Sequence, residues 1–474
     1  MAPSVAVLGG GISGLSAAFH LLRKFPRAEV TLFEGAPRTG GWLGNSYTMK
    51  TDNGTRLTLE AGPRTLRPKP ELLELVVATG LAEAIQPVPS LPRFVHIPLP
   101  QYPGLTAVPN GFLSAVRSPL FHQGVRSIWR WVSAGDTLAP EPDEDEDLEQ
   151  FLARTVDPEL GRIGATAAAH GIYAADPRVL SARAVLGRLY EAGSPWDYVA
   201  NIPIKTFSAM PRVTSGLTAP DGSSVTVLAN APFSLRGGTS MLPGAILATL
   251  KREPRFTLRH DHVSQLRGTT VVTPIGTSAS FTRVVSALPL YTLRAVLPPD
   301  FLQRHRAAVE FLETPYANVT VVNLVFPADE CPFPQGFGYL NARTDKDAPT
   351  PRVLGVVFDS SVAPSEIDAN ENLTRCTAML SQPMALDELL LELGQHVGAK
   401  LPQPVFAKAT QANRCIPTPT VGHVPRTRAF HEAIKSEWKG DLEVIGAAVA
   451  PGPGIGDCIE MAKGVGEGWT WALK

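Results

Sequence analysis

The stretch SVAVLGGGISGLSAAFHLL, Ser4 to Leu22, decides how the chain is read. Val5-Ala6-Val7-Leu8 is a short apolar run closed by glycine, the pattern of a buried strand. Gly9, Gly11 and Gly14 follow in the G-x-G-x-x-G spacing. Gly9 permits a tight turn, Gly11 lets a pyrophosphate approach the backbone, and Gly14 lets the next helix pack close to the strand. Ile12 and Ser13 open that helix, whose free N–H groups and positive dipole end suit phosphate. Leu15, Ala18, Phe19 and Leu22 give it one apolar face. Val30 to Phe33 reads as a second strand, and Glu34 ends it about twenty residues after Gly14, where an acceptor for ribose hydroxyls belongs. Strand, glycines, helix, strand and acid in this order predict a dinucleotide-binding fold.

Bulk properties narrow what surrounds that fold. A length of 474 residues predicts two or three packed units. Hydrophobic residues at 44% and charged ones at 18% describe a globular chain, and a net charge of −1 argues against a nucleic-acid partner. Cys331, Cys376, Cys415 and Cys458 are far apart and show no metal-ligand spacing, so they read as reduced structural thiols and no metal is expected. No apolar run reaches the roughly eighteen residues of a spanning helix. The N-terminus carries no evident cleavable presequence, since structure is expected from Val5 onward; any organelle address would be internal.

Further segments refine the ligand. EGAPRTGGW places Gly35, Arg38, Gly40, Gly41 and Trp42 directly after the acidic strand end. Near the other end, LEVIGAAVAPGPGIGDCIEMAKGVGEGW predicts a strand over Leu442 to Ile445, a glycine-rich loop holding Gly446, Gly454 and Ile455, and a helix with Asp457 as its N-cap. These elements resemble the flavoproteins of the amine oxidase and phytoene desaturase group. The resemblance implies one FAD: the R-x-G-G segment lies along its pyrophosphate and ribityl chain, and the last helix points at the pyrimidine edge of the flavin. It also implies middle FAD elements at Ser234 to Ile246 and Arg283 to Pro289, with a strand HDHVSQL between them whose Val263 meets the adenine side. Gly62, Pro63 and Arg64 of GPRTLRP would lie beside the flavin ring, Arg64 supporting the turn. Cys415 lacks the context of a covalent flavin attachment, so the FAD is expected to be non-covalent.

Within that group, GPRTLRP, PRFVHIP, HGIYAADP, QGFGYL, VLGVVFDS, CIPTPTVGH and GDCIE occur in the order found in oxygen-dependent protoporphyrinogen oxidases of the animal and fungal mitochondrial type, which the chain resembles from about Val5 to Ala472. This implies oxidation of protoporphyrinogen IX to protoporphyrin IX with O2, yielding H2O2, the penultimate step of heme biosynthesis. Flavin N5 would accept hydride, with no side chain acting as acid or base. Arg93 would meet a propionate, although an arginine in a proline-rich loop is by itself more often a solvated surface charge. Gly171 would face a pyrrole, Phe337 and Leu340 would be walls that sandwich the ring with the substrate-site Gly338 between them, and Met379 would add an apolar wall; as bare patterns these are core residues. The alternatives on the same fold are a flavin amine oxidase or a phytoene-desaturase-like enzyme, and beyond them a flavin-binding module without turnover.

The expected architecture is α/β: a Rossmann-like FAD-binding domain from the discontinuous segments 1–88, 214–288 and 440–474, a mixed-sheet α+β substrate domain from 89–109 and 289–439, and a helical membrane-associated domain over 110–213. In the last, Arg126, Trp129, Arg130 and Trp131 of VRSIWRWVSAG suit either a bilayer interface or inward packing. EPDEDEDLEQFLART reads as an acidic, solvated helix start. His170 reads as a packed or exposed histidine, with a pocket titrator as the alternative. The resemblance implies a peripheral protein of the mitochondrial inner membrane, binding the membrane surface through the helical domain, and it admits a homodimer.

Overall fold

Strand Ser4–Leu8 is fully buried beyond its first residue because other strands flank it on both sides. The structure, a computed structural model, describes residues 3–51, 53–109, 116, 118–134, 144–193, 217–218, 224–225, 232–274, 276 and 278–469. Five parallel strands run in the order Phe256–Arg259, Glu29–Phe33, Ser4–Leu8, Arg283–Ser286 and Leu442–Val444. Parallel neighbours need long crossover connections, so this one sheet gathers pieces from the start, middle and end of the chain. Helices Ile12–Lys24, Met241–Leu250 and Ile455–Gly464 pack over one face around Leu15, Leu22, Leu242, Ile246 and Ile459.

A second sheet has seven strands in the order Phe406–Pro417, Tyr316–Pro327, Leu373–Leu380, Val353–Val357, Gly338–Asn341, Arg93–His96 and Leu105–Ala107. Only Gly338–Asn341 against Arg93–His96 is parallel, so the sheet is mixed. Val322, Leu324 and Phe326 turn one face toward Leu389, Leu390 and Leu393 of helix Leu386–Val397. Side chains alternate across a strand, so Val321, Asn323 and Val325 point to the opposite face. Hairpin Ser46–Lys50/Arg56–Glu60 covers part of that face, its Leu57 and Leu59 packing on Val325.

Between the two sheets in sequence lie helices Phe121–Ala134, Leu148–Thr155, Pro158–Ile172, Ala182–Leu186 and Arg188–Glu191. Among the described residues no helix is long and apolar enough to cross a membrane. Most of 186–230, which is hard to place by sequence, lies outside the described residues, as do the side chains of Arg130 and Trp131.

Three local expectations need correction. From residue 144, where its described part begins, the acidic run is not a solvated helix start. Glu149 and Arg343 form an ion pair with side chains only 9% and 2% exposed, and Arg162 Nε lies 3.2 Å from the same carboxylate. Asp145 accepts from Ser181 Oγ and from the Gly422 amide at 2.7 Å each, and Asp147 caps its helix by accepting from the Gln150 amide. HDHVSQL is not a strand throughout: pairing to Glu29–Phe33 stops at Arg259 and the next strand starts at Gln265, leaving 260–264 as a connector. Asp457 is not an N-cap; Gly454 holds that position and Asp457 lies in the first helical turn.

Candidate active site

The cofactor cradle is built from backbone. Gly9 has φ +98°, and a Cβ on Gly14 would strike the Gly9 carbonyl oxygen, so both positions need glycine for turn and packing. A Cβ on Gly11 would meet nothing within 4 Å, which leaves open space above the N-terminus of helix Ile12–Lys24. No side chain caps that end, so the amides that follow Gly11 at Ile12, Ser13 and Gly14 are available to an anion. Glu34 sits at the end of its strand, where Oε2 accepts from the Gly10 amide at 2.9 Å and Oε1 from the Ala36 amide at 2.7 Å. Those bonds aim the carboxylate across the mouth of the cradle. Gly35 packs against His262, and Val263 is buried with Leu8 and Phe33, closing that end with an apolar floor.

The Arg38–Trp42 segment crosses the glycine turn. Gly40 N–H donates to Gly10 O at 2.8 Å, and a Cβ on Gly41 would come within 3.2 Å of Gly11 Cα. Arg38 braces this crossing by donating to Gly41 O at 3.1 Å and Asn45 Oδ1 at 2.7 Å. Gly62 in turn packs on the Trp42 carbonyl, so the Gly62–Pro63–Arg64 turn is the next link in a continuous chain of close backbone approaches. The terminal helix closes the far side. Gly446 adopts φ +125°, helix Ile455–Gly464 begins uncapped after Gly454, and Asp457 pairs with Lys69. A cradle of uncapped helix ends, open space at Gly11 and an acceptor at Glu34 fits a dinucleotide in this structure.

Cross-strand register assembles the second half of the site. Arg93 lies opposite Gly338, Leu340 opposite Gly355, Gly355 opposite Met379, and Met379 opposite Val321. Partners opposite one another share a face, so Arg93, Leu340, Met379 and Val321 all project to the side away from helix Leu386–Val397. Leu340 and Met379 are half-buried there. A Cβ on Gly171 would sit 3.0 Å from Leu340 Cδ1, so the C-terminal end of helix Pro158–Ile172 rests on this row. The Arg93 guanidinium lies 5.4 Å from the centre of the Phe337 ring. Gly338 belongs to the sheet rather than the cleft wall: with φ +138°, a Cβ would collide with Val356 O.

His170 Nδ1 lies 2.9 Å from Asn341 O, and burial holds its pKa down to about 4. It is a packed neutral imidazole. The sequence reading missed a group of polar residues at the junction of the two sheets: half-buried Glu60 with buried Thr239, Asn323, Asp359 and Thr377. Thr239 lies in the Ser234–Ile246 stretch expected to meet FAD, directly after Gly237 and Gly238, the one local signal available. The others have only distant partners.

Comparison with known proteins agrees with this geometry. The family described as flavin containing amine oxidoreductase matches residues 12–366. The protoporphyrinogen oxidase of Macaca fascicularis is 29% identical over 98% of this chain and 97% of its own, and that of Schizosaccharomyces pombe is 26% identical over 96% of each. Among solved structures, cyclohexylamine oxidase from Brevibacterium oxydans superposes with a TM-score of 0.63 at 14% identity, covering 98% of this chain and 97% of its own, a likeness of fold. With a family match across most of its length and a cradle that suits FAD, this chain belongs to the flavin containing amine oxidoreductases.

Proposed function

We propose that the chain oxidises protoporphyrinogen IX to protoporphyrin IX, with O2 as the final acceptor. The observation that carries this is the row Leu340, Met379 and Val321, an apolar sheet face with the exposed Arg93 guanidinium at one end. A broad apolar ring bearing carboxylates needs such a surface and one cation at its rim. FAD held in the cradle supplies the two-electron acceptor for the reaction.

The chain's own residues bind and orient. Leu340 and Met379 give the ring an apolar bed, Gly171 leaves its edge uncrowded, and Arg93, stacked on Phe337, anchors a carboxylate so that one edge of the ring has a fixed direction. His170 stays neutral and engaged with Asn341, so it moves no proton. An amine substrate is less well served. The described part of the glycine-rich loop at 446–457 carries no tyrosine or tryptophan, and no lysine lies in the Leu340–Gly355–Met379–Val321 row.

The helical segment is proposed to dock this site at a membrane surface, that of the mitochondrial inner membrane. Val125, Ile128 and Trp129 are exposed at one helical face, Trp129 at 71%.

Anaerobic mixing of the FAD-loaded protein with protoporphyrinogen tests the activity. Loss of the flavin absorbance with growth of porphyrin fluorescence is expected. An intact bound flavin that stays oxidised would sink the proposal, and bleaching by primary amines alone would favour the amine oxidase reading.

A further inference from the structure

The polar residues at the junction form one connected chain. Arg64 Nε lies 2.8 Å from Asp359 Oδ1, with side chains 12% and 10% exposed. Arg64 also donates to Glu60 O at 2.9 Å. The second oxygen of Asp359 accepts from Thr377 Oγ1 at 2.5 Å. Thr377 accepts from Asn323 Nδ2 at 2.8 Å, and Asn323 Oδ1 accepts from Tyr47 OH at 2.5 Å. Thr239 Oγ1 lies 2.6 Å from Glu60 Oε1 and 2.5 Å from Pro63 O, fastening the turn from its other side.

These contacts join two surfaces that are remote in sequence. Arg64 belongs to the turn that follows Gly62 and Pro63, which packs on Trp42 beside the cradle. Thr377 lies opposite Asn323, one step along the same sheet face from Met379 and Val321. Asp359 bridges them through charge, its two carboxylate oxygens divided between Arg64 and Thr377, while Asn323 Nδ2 adds a neutral link to Glu60 O at 3.1 Å. A buried, charge-assisted contact fixes distance and angle more tightly than apolar packing does.

We propose that Asp359 is a positioning residue for the oxidation: its carboxylate grips the turn at the flavin side through Arg64 and the substrate strand through Thr377, setting the spacing between flavin and ring. This rests on the reading that the turn borders the flavin and the Met379 row beds the substrate. Displacement of reacting groups by about 1 Å can cost roughly a hundredfold in rate, so the effect belongs in kcat.

Asp359→Asn keeps the shape and the Thr377 contact but removes the charge that Arg64 needs. We expect kcat to fall roughly tenfold or more with KM within about twofold, as for an interaction that acts on geometry rather than on substrate binding. The visible flavin spectrum and the flavin midpoint potential are expected to shift in the same variant without substrate. Thr377→Val, which spares the ion pair, should lower kcat with the flavin spectrum unchanged; it keeps the idea testable if Asp359→Asn folds poorly. Wild-type kcat per bound flavin in both variants, with only a lowered melting temperature, overturns the proposal. A wild-type protein inert to protoporphyrinogen, beside an Asp359→Asn flavin shift, overturns the substrate reading and retains the grip on the turn.

Discussion

Arg93 ends up exposed at a strand start with Phe337 beneath its guanidinium, a placement neither residue specifies alone. The parallel pairing of Arg93 with Gly338 brings them together across more than two hundred residues of chain. Solvent screens an exposed cation, so its worth to a carboxylate lies at the low end of about 1.5–3 kcal/mol, or about tenfold in binding. Arg93→Ala should therefore raise KM for protoporphyrinogen about tenfold and change kcat little. Arg93→Lys should recover only part of this, because a point charge lacks the bidentate fork. A loss confined to kcat in steady-state kinetics would refute the propionate role. Residue-scale legibility was uneven. Gly9, Gly11 and Gly14 speak through local spacing, whereas Gly338 looks like a pocket residue in sequence and proves to be required by Val356 in the neighbouring strand.

At the scale of elements, the acidic stretch 144–149 is the instructive case. Its composition suggests a water-facing helix end, yet Glu149 is buried against Arg343. The partner lies 194 residues away, beyond the reach of any local pattern. Helix Phe121–Ala134 behaves differently. Ile128 and Trp129 lie about one turn from Val125 on an exposed face, and Arg126 beside them reaches Asp157 at 3.6 Å while its side chain stays 70% exposed. An apolar stripe next to an exposed cation suits an anionic bilayer surface. Ile128→Asp with Trp129→Asp should abolish flotation of the protein with phosphatidylglycerol- or cardiolipin-containing vesicles and leave the flavin spectrum untouched. Undiminished flotation would assign this face to something other than lipid.

At the scale of the molecule, several histidines are folded into dry surroundings. Burial holds His20, His170 and His423 at a pKa of about 4 and His396, with His96 beside it, at about 3, against an ordinary 6.5. Between these limits the unfolded chain takes up protons that the native one refuses, so native stability falls as pH drops from 6.5 toward 4. Glu60 and Glu443, whose carboxyls burial raises above the usual 4.5, act in the opposite sense at the acid end of that window. Denaturant midpoints measured from pH 7 to pH 4.5 should decline, and His170→Gln should flatten the decline. A His170→Gln profile as steep as the wild-type one would refute this account of the acid limb.

What the sequence by itself determined is the part of the protein whose physics is local: a strand, a glycine turn, a helix end and an acid, each recognisable because backbone geometry and short-range periodicity demand those residues within a few positions of one another. These elements also announced the flavin, through the Arg38–Gly41 segment and the terminal helix. The cleft was decided by tertiary structure. Arg93, Leu340, Met379 and Val321 share a face only because five strands from distant parts of the chain pair in one register, and a slip of one residue would turn each of them to the other side. The grip of Asp359 on Arg64 and Thr377 has the same origin. Buried polar groups must find partners wherever the fold brings them, and that need has no signature in the neighbouring residues.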